Sequence, residues 1–204
     1  MDAELASLLS DIAIGVAAVI VAVVGLVGLR TWRKELTGRA KFEVSRNVML
    51  LAFKLKADFE WATNLATYSE EFVDRPHGEN ESQAESSVLN EWHARHRRLK
   101  PLVEDLHKLL TAGWEAEILL GEDSGKSVSE AIGIFRRNYA ELATAIESYF
   151  EQTYREANRT SVNTAQDWLK ELRKIIYSAP DAKLLKQIDE ATAQLASTLK
   201  AYVK

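Results

Sequence analysis

Residues 121–127 read GEDSGKS, and two incompatible folds compete for them. As a phosphate-binding loop they would make the chain an α/β nucleotide-binding protein. As a turn they would join two helices. A Walker-type loop needs a glycine five residues before its Gly-Lys pair. Counting back from Gly125 reaches Leu120, and Gly121 stands one residue too close. Such a loop also joins a parallel strand to a helix. The preceding HKLLTAGWEAEILL has no β-branched run, and no other parallel strand is legible. The stretch therefore reads as a turn. Gly121 and Gly125 serve a helix C-terminus and a turn, and Ser127 with Glu130 forms a capping box that opens the next helix. No nucleotide is expected.

On both sides of this turn the apolar residues recur at helical spacing. Upstream, Ser82 and Glu85 form a capping box, and a helix runs from there to Leu120. Its stripe is Val88, Trp92, Leu99, Leu102, Leu106, Leu109 and Leu120, with Pro101 expected to kink or split it. Downstream, a helix through Val128, Ile132, Phe135, Tyr139, Leu142, Ile146, Tyr149 and Phe150 ends near residue 157. Earlier in the chain, residues 40–73 carry Val44, Val48, Leu51, Leu55, Phe59, Ala62 and Ala66 at the same spacing, up to the breakers Pro76 and Gly78. Two shorter helices close the chain, with Thr164 and Asp181 as expected caps.

Composition agrees with an all-α fold. The 204 residues include only 9 glycines and 3 prolines, few for the many turns of a β protein. There is no cysteine, which excludes disulfides, thiolate metal sites and cysteine nucleophiles. The net charge of −4 offers no global attraction to nucleic acid.

Residues 12–29, IAIGVAAVIVAVVGLVGL, are eighteen residues without a charge. As a helix they rise about 27 Å, close to the roughly 30 Å of a bilayer core. A signal peptide begins with positive charge, whereas the first eleven residues here hold Asp2, Glu4 and Asp11 and no Lys or Arg. The basic residues follow the span: Arg30, Arg33, Lys34, Arg39 and Lys41. Flanking basic residues stay cytoplasmic. Residues 1–11 are thus expected outside, 12–29 across a bacterial inner membrane, and 30–204 in the cytoplasm as an up-and-down bundle of four to five long helices. Within the span Gly15, Ala18, Ala22 and Gly25 fall on one face, where small residues let helices approach closely. This predicts a homo-oligomer, with Asp11 repeated around its outer mouth.

Catalytic arrangements fail by spacing. Glu104 and His107 match half of a di-iron motif, but the other histidines, His77, His93 and His96, lie in the same region and cannot supply a second helix. No catalytic residue, cofactor or metal is expected. The basic run at 93–100, with Arg95, Arg97, Arg98 and Lys100, reads first as the solvated face of a helix whose Trp92 and Leu99 turn inward. Its sharper reading is contact with RNA phosphates or anionic lipid. Helical RNases of the HEPN class carry an arginine four to six residues before a catalytic histidine. Arg98 precedes His107 by nine and Arg95 precedes His96 by one, so RNA cleavage by that route is not expected.

The stretch TWRKELTGRAKFEVSRNVMLLAFKLKADFEWATN resembles a group of uncharacterised bacterial single-span membrane proteins with a cytoplasmic helical bundle. The resemblance lies in the Trp32/Leu36/Gly38 spacing and in Lys41-Phe42-Glu43-Val44 through Leu55-Lys56. It covers about a fifth of the chain. The layout of one span and a HEPN-like bundle also resembles the membrane accessory proteins of some RNA-targeting CRISPR systems. That likeness implies a self-associating membrane protein, a pore or effector in defence or stress. The alternative is a membrane-tethered adaptor whose bundle binds a cytoplasmic protein or RNA.

Overall fold

The structure, a computed structural model, describes residues 2–157, 166–179 and 182–203; of residues 2–14 and of residue 166 the backbone alone is described. It is all-α. The helices are α1 (Asp2–Ala62), α2 (Gln83–Leu120), α3 (Glu122–Ala157), α4 (Gln166–Ile176) and α5 (Lys183–Leu199), with a short 3₁₀ turn at Ser69–Glu71. No strand occurs among the described residues.

The span and the first bundle helix are one element. α1 has 61 residues, a rise of about 92 Å, and continues without interruption through Thr37 and Gly38. The boundary expected between residues 29 and 30 is marked by no change of backbone. From Gly15 to Arg39 every residue is exposed. This half is long and apolar enough to cross a membrane. Burial begins at Val44 and recurs at Val48, Ala52, Leu55, Phe59 and Ala62.

The bundle is a ring of four helices in which α1 packs on α2 and α5, and α3 packs on the same two. Directions alternate. Lys56 pairs with Asp189 at 2.7 Å, while Lys41 lies over the Tyr202 ring at 5.8 Å, so α5 runs against α1. Ser124 meets Tyr202 at 3.0 Å and Ser127 meets Thr198 at 2.9 Å, so α5 also runs against α3. The core is mostly aliphatic; Phe59 and Phe135 meet in it with ring centroids 6.4 Å apart, and Phe150 is buried against Tyr149. The eleven-residue α4 packs on α3 and inserts Ile176 into the core.

The turn reading of GEDSGKS holds, with two corrections. Gly121 alone separates α2 from α3, and its φ of +90° lies where an L side chain is strained. α3 begins at Glu122, with Asp123 beside it, acidic residues suited to a helix N-terminus. Ser127 is therefore inside the helix and caps nothing. Its hydroxyl instead bonds across to α5, through Thr198 and Gln194. Gly125 is likewise inside α3 rather than in the turn, and there it lets α2 and α3 approach closely: a Cβ would lie 2.9 Å from the Glu117 Cα.

Other boundaries differ from expectation. The helix expected over 40–73 stops at Ala62, for a tertiary reason given below. Pro101 neither ends nor splits α2; the helix is held by Leu99 and Leu102, both in the core on either side of it. The capping box at the start of α2 is present, with Ser82 Oγ accepting from the Glu85 N–H at 3.2 Å and Glu85 Oε2 from the Ser82 N–H at 2.9 Å. Thr164 and Asp181 lie outside the described residues. α5 begins after Ala182, which makes no side-chain cap.

Candidate functional site

The richest polar chemistry lies at the end of the bundle far from the apolar half of α1. A helix end leaves its last four carbonyls unpaired. At the end of α1 two arginines of α2 take the last two, those of Trp61 and Ala62, together with carbonyls of the segment that follows. Arg95 Nη1 donates to Ala62 O at 3.1 Å and Asn64 O at 2.6 Å. Arg98 Nη1 donates to Trp61 O at 3.3 Å and Asn64 O at 2.9 Å. These contacts pull the chain out of helical geometry after Ala62 and fold residues 63–66 over the guanidinium groups. Apolar spacing continues to residue 73, but helix does not.

Both arginines are buried, Arg95 at 0% and Arg98 at 1% exposure. A buried cation needs a partner and saturated donors. Arg98 has both. Its Nε and Nη2 grip Glu71 at 2.5 and 2.6 Å, a bidentate pair, and its guanidinium stacks 4.5 Å from the Trp61 ring centroid. Burial pushes the Glu71 carboxyl up, but the hydrogen bonds from Arg98 and from the Tyr68 N–H outweigh it and leave the group below its ordinary value. Arg95 has no bidentate carboxylate. It stacks 4.5 Å from the Tyr177 ring, and burial lowers its pKa. Tyr177 in turn donates to Glu91, and burial together with that carboxylate pushes its hydroxyl up.

A third arginine completes the clamp. Arg75 reaches Glu81 through Nη1 and Nη2 at 2.8 and 2.7 Å, and Asn90 through Nε at 2.7 Å. The connection between α1 and α2 is thus held by ion pairs rather than by an apolar core.

This arrangement corrects the surface reading of the basic run. Arg95 and Arg98 face inward and offer nothing to phosphate or headgroup. Arg97 is half-exposed and occupied by Asp74 at 3.1 Å. Lys100 alone of the four is exposed with no ion pair among the described residues. Trp92, expected inside, is 36% exposed and lies against His96. A signal for Arg95 was present in the sequence. It occupies the gap in the stripe 88, 92, 95, 99, 102, 106, so that the spacing alone pointed it at the core.

A second polar cluster bridges α1 and α2 near mid-bundle. The Asp105 side chain is 2% exposed and lies between Lys54 at 2.5 Å and Lys108 at 2.7 Å. The Asp58 carboxyl lies beside that of Asp105. Two carboxylates this close cannot both ionise freely. Burial, then the Asp105 neighbour, pushes Asp58 up to about 6. On Asp105 burial acts upward, but the lysine hydrogen bonds prevail and hold it below its ordinary value. Sequence periodicity gave no hint of this pair.

The remaining candidates are dispersed. His93 faces Asp74 at 3.3 Å and His96 faces Glu147 at 2.6 Å, and among the described residues no group of three His, Asp or Glu gathers at metal-binding distance. Lys126 stands exposed on α3 in regular helix, with no loop around it to cradle a phosphate. Gly15, Ala18, Ala22 and Gly25 lie on the exposed half of α1, and a Cβ at Gly15 or Gly25 would meet nothing within 4 Å. The side chain of Asp11 lies outside those described. No protein-family model matches the chain, and neither does any curated protein or solved structure.

Proposed function

We propose that the protein is a single-pass protein of a bacterial inner membrane, N-terminus outside and bundle in the cytoplasm, that works as a homo-oligomeric membrane assembly, a pore or effector in defence or stress. The observation that carries this reading is the uninterrupted α1. From Gly15 to Arg39 its first half is exposed throughout, and its second half is a wall of the bundle. Lipid tails give helices no hydrophobic reason to associate, so association rests on close packing at small residues. Gly15, Ala18, Ala22 and Gly25 supply such a face.

The test is oligomer mass in lipid nanodiscs. Ala22→Ile or Gly25→Ile should dissociate the assembly, and Val23→Ile should not. Equal mass for all three variants would remove the small-residue face from the interface. Asp11→Asn tests the pore: cation leakage through liposomes should fall while the oligomer persists.

The adaptor reading has one specific support. Val88, Leu89, Trp92, Phe150 and Tyr154 line an open groove of about 210 Å³ between α2 and α3, rimmed by Glu147 and Glu151. An acidic rim repels RNA, so a protein segment is the partner that suits it. Substituting Trp92 by Ala should abolish such binding and leave oligomer mass unchanged.

A further inference from the structure

We infer that the self-association interface does not stop at the membrane but continues along the outer face of the bundle's own first helix, as a parallel coiled coil between copies of α1 that reaches Phe53. The inference rests on the membrane-anchored, self-associating reading above and adds to it a second, extramembrane half of the interface.

The alternating three-and-four spacing of the small-residue face extends without a skip. After Gly25 it selects Leu29, Trp32 and Leu36, then Arg39, Glu43 and Arg46, then Leu50 and Phe53. A heptad seam of this kind is what a left-handed coiled coil requires. The structure leaves all of it uncovered: Leu36 is 47% exposed, Leu50 54% and Phe53 52%. Beyond residue 43 the seam lies on the side of α1 turned away from Val48 and Leu55, which are fully buried in the bundle. α2 and α5 flank α1 but do not reach round to it. A single exposed leucine means little. Large apolar side chains at seam positions, on a wall whose inner side is already satisfied, are a different matter.

Lipid does not cover the far end of this seam when the helix stands upright. Leu50 is twenty-one residues beyond Leu29, about 31 Å along the axis, well past the headgroups. A second copy is the occupant that fits, because the anchor imposes the geometry. Copies inserted with the same topology have parallel α1 helices at equal depth, so the seam meets itself at zero stagger. Confinement to the bilayer also raises their effective concentration.

The polar middle weakens this contact and limits it to one register. At zero stagger Arg39, Glu43 and Arg46 each face their own copy, which opposes like charges, and only the layers about 5 Å above and below supply the opposite sign, placing each Glu43 between arginine layers of its neighbour. Charged layers within an apolar seam lower stability and fix register. A straight helix drifts from a seven-residue repeat by about 20° per heptad, and supercoiling absorbs the drift. The bundles would then stand outside a central column of α1 helices.

The chain has no cysteine, which makes disulfide mapping in native membranes direct. Single cysteines replace Ala22, Leu36, Leu50 or Phe53, with Glu130→Cys on the exposed surface of α3 as control, all in the full-length chain. On oxidation, Leu50→Cys and Phe53→Cys should give roughly tenfold more covalent dimer than Glu130→Cys, as expected when an interface raises local concentration. Leu50→Glu combined with Phe53→Glu should lower crosslinking at Leu36→Cys several-fold without changing the melting temperature, since both side chains are exposed. Crosslinking at positions 22 and 36 with none at 50 and 53 overturns the extended interface and leaves self-association standing. No crosslinking anywhere overturns both. Labelling of Leu50→Cys by a bilayer-dissolved thiol reagent also overturns the inference, because α1 would then lie along the membrane surface.

Discussion

At the scale of single residues, Arg98 and Arg97 are neighbours with opposite roles. Arg98 is buried, paired with Glu71 and bonded to the carbonyls of Trp61, Asn64 and Ala66, at and just after the end of α1. Removing one partner of a buried ion pair strands the other. Arg98→Ala should therefore destabilise the bundle by about 3–5 kcal/mol, while Arg97→Glu, at a half-exposed position, should stay within about 0.5 kcal/mol. Denaturant titration of both variants in the same detergent measures the difference. Equal effects would mean that the clamp does not hold the connection. Asp58 makes a pH prediction. Its raised pKa means that the native state keeps a proton that the unfolded chain has already released above its ordinary 3.8. That contribution is full below 3.8 and is lost as pH rises through about 6. Asp105, held low, contributes in the opposite sense and is lost on acidification below its ordinary value. Between pH 5 and 7.5 the melting temperature of the wild type should fall more than that of Asp58→Asn. The slope should be shallow, because Asp58 is partly solvated and screened. A steeper fall in the variant would reverse the assignment of the shared proton.

At the scale of elements, the α2–α3 hairpin and α1 are the informative cases. The hairpin turns on one glycine and closes on another. Gly125→Ala would press a methyl onto the Glu117 backbone and should cost about 1–3 kcal/mol, the usual penalty of overpacking. Lys126→Ala, one residue on, should change nothing, and ATP should show no saturable micromolar binding to either protein by calorimetry. Binding that vanishes in Lys126→Ala would revive the nucleotide reading. For α1, the apolar period was legible in the sequence, and so was the capping box of α2, because both are relations between residues within a few turns of one another. The end of α1 was not legible. Thr63 to Ala66 carry no strong helix breaker, and the chain leaves the helix there because two side chains more than thirty residues away take up its carbonyls. The place of Ser127 was misread for a related reason. A serine followed by glutamate three residues later has the same pattern at a cap and inside a helix, and only α5, more than sixty residues on, distinguishes them.

At the scale of the whole molecule, topology is the first thing to measure. A cytoplasm-dependent fluorescent reporter fused after Lys204 should be bright, and an export-dependent reporter at the same point should be inactive, because Lys and Arg flank the span only on its C-terminal side. The opposite result would turn the bundle outward and end the cytoplasmic reading. The continuity of α1 gives the molecule no flexible joint between apolar half and bundle, so rotation or tilt of one is imposed on the other. The sequence by itself determined the helical class, the single apolar span, the turn at Gly121 and most of the core-facing stripes, because these depend on local geometry and on the 3.6-residue period. Tertiary structure alone decided that α1 ends at Ala62, that Arg98 is interior, what pairs with the inward-pointing Arg95, and that Asp58 shares its site with Asp105. The physical reason is that a charge belongs in the interior only where distant segments supply its partners, and periodicity, which ranks positions by their neighbours along the chain, contains no term for carbonyls and carboxylates brought in from elsewhere.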